Sequence, residues 1–201
     1  MKHFILPIVA AIFCFQVYAD DIRLGTPGYG GSGCPGGTVS TTLSPDRKAI
    51  SLIFDQYIVE AGGATGRRID RKNCQIAVPI HIPQGLSFSI IQMDYRGFNS
   101  LPYGAYSQIN IEYFLAFPGA PASGPKYSKR WSGVLNDDYL ISNALGLFAT
   151  VWSPCGGDLN LRTATSMMVS TNNTYEQSLA TLDSIDIKAG IRYLLQWRQC
   201  R

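Results

Sequence analysis

The sequence predicts an all-β fold, an antiparallel β-sandwich of about nine or ten strands held by two disulfides. Three observations carry this expectation. Apolar residues alternate with polar ones at period two in segment after segment, as in Cys74, Ile76, Val78, Ile80 and Ile82. Turn signals rich in Gly, Pro, Asn and Asp recur between those segments, and no segment sustains a helical period. Four cysteines, Cys34, Cys74, Cys155 and Cys200, remain once an N-terminal export signal is set aside.

The export signal is read from residues 1–19. Lys2 and His3 precede an apolar run from Phe4 to Val17, and Val17-Tyr18-Ala19 offers small or branched residues before Asp20 and Asp21. That order matches a secretory signal cut after Ala19. The run is shorter than the ~20 residues of a membrane span, so no span is expected after cleavage. Bulky Phe13 before Cys14 argues against a lipid anchor. Residues 20–201 are then expected to form one secreted β-sandwich domain, extracellular or periplasmic.

An even cysteine count in an exported chain reads as two disulfides. Three connectivities exist, and chain order favours Cys34–Cys74 and Cys155–Cys200. Each closes a loop of roughly 40 residues, worth ~4 kcal/mol in the chain-entropy treatment. The cysteines are too widely spaced for a zinc motif.

The elements follow in order. Residues 20–37, with seven glycines from Gly25 to Gly37, read as an irregular arm pinned by Cys34; β-prone residues follow it, unlike a phosphate-binding loop. Thr38–Leu43 and Ala49–Ile58 flank Ser44-Pro45-Asp46-Arg47, a type I turn pattern, and predict a hairpin. Pro79 lacks an N–H and predicts an edge or a bulge in the Cys74–Ile82 strand. From Leu86 the alternation slips phase at Ile90-Ile91 before Met93 and Tyr95 continue, which predicts a β-bulge. Ile109–Phe117 is a further strand, and Pro118–Pro125 a loop. Lys126–Val134 and Tyr139–Ile141 are strands around an Asx turn at Asn136-Asp137-Asp138. Leu159–Val169, Thr181–Ile187 and Ile191–Trp197 complete the set.

Function classes narrow by exclusion. The formal net charge is only +3, and the densest basic group, Arg67-Arg68…Arg71-Lys72, is broken by Asp70, so no nucleic-acid partner is expected. With the signal gone, one histidine remains, His81, read as a surface residue. No nucleophile elbow, metal-ligand spacing or cofactor motif is present, so no catalytic residue, metal or cofactor is assigned. Asp55, Asp94, Glu112, Asp158, Asp183 and Asp186 keep open an alternative, a carboxylate-dependent hydrolase of an extracellular polymer, which needs two carboxyls facing across a cleft.

The aromatic residues have two readings. Exposed rings stack on sugars; buried ones pack core and edges, the favoured reading. Tyr95, Arg96, Tyr103 and Tyr106 lie around a Gly/Pro-rich turn and are the candidate ligand-binding residues. Trp152 and Trp197 are expected to pack around the second disulfide. The leading expectation is a non-catalytic binding or structural module at the cell envelope or outside the cell, with a glycan or envelope component as partner.

Several motifs carry a resemblance. Gly33-Cys34-Pro35-Gly36-Gly37-Thr38-Val39, Ile53-Phe54-Asp55-Gln56-Tyr57, Arg71-Lys72-Asn73-Cys74-Gln75 and Asp94-Tyr95-Arg96-Gly97 occur in that order. Val151-Trp152-Ser153-Pro154-Cys155-Gly156, Asp183-Ser184-Ile185-Asp186 and Gln196-Trp197-Arg198-Gln199-Cys200 follow. From about residue 25 to the C-terminus the chain resembles the small secreted cysteine-containing proteins of domain-of-unknown-function family 4360, found in fungi and bacteria. The resemblance implies secretion and four matching cysteines, and brings no activity with it.

Overall fold

The computed structural model describes residues 21–120, 123–145, 151–182 and 190–200. They form two antiparallel sheets packed face to face, with thirteen strands and the two expected disulfides. The first sheet runs from paired edge segments β1 (Arg23–Leu24) and β2 (Gly28–Gly30) to β6 (Ile69–Ile82), β11 (Gly157–Ser170), β8 (Tyr106–Ala116) and β9 (Lys126–Ser132). The second places β3 (Val39–Leu43), β4 (Ala49–Phe54), β13 (Ile191–Gln199) and β7 (Leu86–Leu101) side by side. One edge of β7 pairs with β10 (Leu135–Ala144). The other carries β13 and then β12 (Ser178–Thr181), which pairs onward with β5 (Ile58–Ala61). No helix among the described residues is long and apolar enough to cross a membrane.

The strand count exceeds the expectation because β1, β2, β5 and β12 are pieces of two to four residues. The glycine-rich arm is therefore only partly irregular. Gly28 to Gly30 pair with Ala77 to Gln75 and extend the sheet. The Ser44–Arg47 turn joins β3 and β4 as expected, with Arg47 N–H donating to Ser44 O at 2.8 Å. The strand expected to run to Ile58 instead ends at Phe54, and Ile58 opens β5. Pro79 does not bulge β6. It lies between the stretches paired with β1 and β2, so its missing N–H falls where the edge is already interrupted.

The bulge stands where the phase slip put it. Leu194 pairs with Gln92 and Leu195 with Ile90, leaving Ile91 as the extra residue of β7. The Asx turn at Asn136–Asp138 is corrected. Those residues pair with Ser100, Asn99 and Phe98 inside β10, and the turn falls at Gly133-Val134. Gly133 has φ +98°, which glycine adopts without a Cβ clash. The expected strand from Thr181 to Ile187 is described only through Thr181, the end of β12; residues 183–189 lie outside the described residues, as do the export signal and Cys14.

The core lies between the sheets and is rich in tyrosine. Tyr95 stacks on Tyr127 with centroids 5.3 Å apart, and Tyr113 meets Tyr193 at 5.6 Å, each pair spanning the two sheets. Buried phenols need partners, and threonines of β11 supply two of them. Thr163 Oγ1 bonds Tyr193 Oη at 2.7 Å, and Thr165 Oγ1 donates to Tyr57 Oη at 3.0 Å. Burial pushes the Tyr57 phenol up to about 12 and also raises Tyr95, Tyr113, Tyr139 and Tyr193. The Cys34–Cys74 bridge is fully buried beside this cluster and ties the glycine-rich arm to β6. Cys155–Cys200 lies nearer the surface, joining the start of β11 to the end of β13. Trp197 packs on Phe88 (5.2 Å) and Trp152 lies under Arg198 (4.1 Å), next to that second bridge in sequence.

Candidate functional site

The sequence-predicted ligand residues do not come together. Tyr95 is fully buried, with its hydroxyl on Met93 Sδ at 3.2 Å, so no ligand reaches it. The alternation that carries Met93 and Tyr95 along β7 turns both toward the core. Arg96, one residue on, faces out from the second sheet opposite Leu140. Tyr103 is 80% exposed at the β7–β8 turn, and Tyr106 begins β8 on the outer side of the first sheet, under the Arg130 guanidinium at 3.6 Å from its ring. These four occupy the interior, two opposite faces and a loop tip.

The outer face of the first sheet presents a different assembly. Along β6, β8 and β11 every second residue is buried, among them Ile76, Val78, Ile109, Ile111, Leu159 and Leu161. The intervening residues therefore face solvent on one side. Register aligns them in rows across the strands. Asn73, Ser166, Asn110 and Ser128 form one row. The next holds Gln75, Ala164, Glu112 and Lys126, and the one beyond it Ala77, Arg162 and Phe114. Gly30 and Gly28 continue the last two rows onto β2.

Side-chain size in these rows shapes two depressions that meet at Ala164. The first, about 480 Å³, has a floor of Gly28, Gly30, Ala77 and Ala164, and Gln75, Arg162 and Phe114 stand around it. The second, about 370 Å³, lies over Ala164, Ser166 and Ser128, between Asn110, Glu112 and Lys126. Together they make a trough crossing five strands, which at ~4.8 Å between neighbours spans roughly 20 Å.

The trough's polar groups are partly preorganised. Ser128 Oγ donates to Asn110 Oδ1 at 2.8 Å, and Gln108 Nε2 donates to the same oxygen at 3.0 Å. Arg71 Nε donates to Ser166 Oγ at 3.2 Å, and Lys126 Nζ stands 3.7 Å from Glu112 Oε2. Arg162 is exposed and has no hydrogen-bond or ionic partner among the described residues. Amides, hydroxyls, a guanidinium and one aromatic ring on a small-residue floor can bind and orient a flat, polyhydroxylated ligand. Asn110, Gln75, Arg162 and Phe114 were not singled out in the sequence. Alternation assigns each to a strand's outer side, but nothing local says that the strands are neighbours.

The carboxylates proposed for hydrolysis are spread out. Glu112 and Asp158 share the outer face, but Asp158 lies six residues along β11 from Ala164, the partner of Glu112, or ~20 Å at ~3.3 Å per residue. An acid–base pair needs about 5–10 Å. Asp158 instead bonds His81 Nδ1 at 2.7 Å. Asp94 bonds Gln92 on the second sheet, and Asp55 follows β4 in a loop. Asp183 and Asp186 lie outside the described residues. Another hollow, about 450 Å³, flanks Cys155–Cys200, but its serines are committed to structure: Ser87 Oγ donates to Ser153 O, and Phe88 N–H to Ser153 Oγ.

Fold and surface define a disulfide-bonded all-β protein with an open polar face. The chain matches the family described as a domain of unknown function (DUF4360) over residues 20–200, and it belongs to that family. An uncharacterized secreted protein of Arthroderma benhamiae is 36% identical over 175 residues, covering 86% of this chain and 69% of the relative. The protein is secreted, in keeping with this relative and with two disulfides that require an oxidising compartment. Among solved structures, the Family 11 carbohydrate-binding module from Clostridium thermocellum, in complex with a β-1,3-1,4-mixed-linked tetrasaccharide, covers 86% of this chain and 95% of its own. Identity is 10% and the TM-score 0.22, a likeness that carries no argument about fold or ligand.

Proposed function

We propose that this secreted protein is a non-catalytic binding module that holds an extracellular or envelope glycan along the trough on its first sheet. One observation carries the reading: a trough crosses five strands, with small residues on β2, β6, β11 and β9 as its floor, flanked by planar amides, hydroxyls and a guanidinium. A sugar polymer offers hydroxyls to such groups and apolar ring faces to Phe114 and to the floor. The open shape fits an extended chain lying across the sheet.

The test is a glycan array and a cell-wall pull-down with the purified protein, followed by titration calorimetry on any hit. Binding weakened by Asn110→Ala or Gln75→Ala, but not by changes on the second sheet such as Ser142→Ala, is the expected result. Blank arrays and pull-downs at high micromolar protein overturn the reading.

A further inference from the structure

We infer that the trough selects an acidic polysaccharide, one carrying carboxylates along its chain, with Arg162 as the central carboxylate receptor. This rests on the glycan reading of the same trough and adds the ligand's charge class. Charge on the outer face of the first sheet is unevenly matched. Its acids are already engaged: Glu112 is 3.7 Å from Lys126, and Asp158 bonds His81 at 2.7 Å. Three guanidiniums of that face, those of Arg71, Arg130 and Arg162, have no carboxylate partner among the described residues. Arg71 reaches only the neutral Ser166, Arg130 lies over the Tyr106 ring, and Arg162 has no partner of either kind.

Position adds to charge. Arg162 stands on the central strand of the sheet beside the glycine and alanine floor, so a ligand lying there meets its guanidinium. Arg71 and Arg130 occupy a single row with Met168 and Gln108. That row is six residues along β11 from Arg162, or ~20 Å. Cations in the trough and in a row beside it suit a polymer with repeated anionic groups better than a single charged sugar. Guanidinium binds carboxylate through two parallel N–H···O bonds, and an unpaired guanidinium gives up no existing partner to do so.

The probes are polygalacturonate, the same polymer with its carboxyls reduced to alcohols, and a neutral β-glucan, each titrated into the purified protein at low and high NaCl. Polygalacturonate is expected to bind at least tenfold tighter than its reduced form and to weaken as salt rises. Arg162→Gln should lower that affinity about tenfold without changing Tm, and Arg192→Gln on the second sheet should leave it unchanged. If Arg162→Gln proves unfolded, Arg130→Gln supplies the same comparison with a smaller loss. Equal binding of the reduced polymer, or full affinity in a folded Arg162→Gln protein, overturns the inference and leaves the glycan reading in place. Binding to none of the three polymers overturns both.

Discussion

The two faces of the β6–β11–β8–β9 sheet are built from alternate residues of the same strands, yet they share almost no chemistry. On β11, Leu161, Thr163, Thr165 and Met167 point inward and are buried, whereas Asn160, Arg162, Ala164 and Ser166 point outward. The inner residues hold the tyrosine cluster and pack around the Cys34–Cys74 bridge. The outer ones leave a floor of small groups with free donors around it. A sheet separates stability from binding in this way because successive side chains leave on opposite sides. Inner substitutions should therefore move stability and spare affinity, and outer ones the reverse.

The largest expected effect is on the inner side. Replacing both Cys34 and Cys74 by Ser should cost more than about 4 kcal/mol of stability, seen as a lower urea midpoint, because the bridge closes a 40-residue loop and its loss leaves two hydroxyls in the dry core. The same change at Cys155 and Cys200 removes a loop of similar length nearer the surface and should cost less, since no hydroxyl is left in the dry core. Equal losses for the two pairs would erase that distinction.

Alkaline titration comes next. The Tyr57 phenol is raised from 10.0 to about 12 in the folded protein, chiefly by burial. Between those values the folded state holds a proton that the unfolded chain releases, so stability is intact below pH 10 and falls as pH rises toward 12. The loss from Tyr57 is about 2–3 kcal/mol, at ~1.4 kcal/mol per pKa unit. Chemical denaturation at stepped pH measures it; a flat profile from pH 9 to 12 contradicts the buried cluster.

Thr163→Val should cost about 1–3 kcal/mol by leaving the buried Tyr193 hydroxyl without its bond at 2.7 Å. Ligand affinity of the folded variant should equal that of the parent. The smallest stability effect belongs to the outer face. Asn110→Ala should shift the unfolding free energy by less than about 0.5 kcal/mol, while glycan affinity falls several-fold in calorimetry. A Thr163→Val protein that lost affinity, or an Asn110→Ala protein that lost stability, would break the division between the faces.

Much of this was legible along the chain. The alternation from Cys74 to Ile82 identified β6, and the slip at Ile90-Ile91 located the bulge, because core burial imposes a two-residue period that a bulge must shift. The cysteine pairing followed chain order. The binding face was less legible. Tyr95, Tyr103 and Tyr106 are close in sequence, but one sits in the core and the others on separate surfaces. Asn136-Asp137-Asp138 has turn composition, yet backbone pairing with β7 draws it into a strand. Local preference yields where a neighbouring strand offers hydrogen bonds.

By itself the sequence determined which side chains of each strand point inward, since that depends only on alternation and the need to bury apolar groups. It also determined that four cysteines would staple an all-β chain. Tertiary structure alone decided that β11 lies between β6 and β8, so that Gln75, Phe114 and Arg162 meet on one surface. Strand pairing is made by backbone groups that every residue but proline carries alike, so the choice of neighbour leaves little local trace in the sequence.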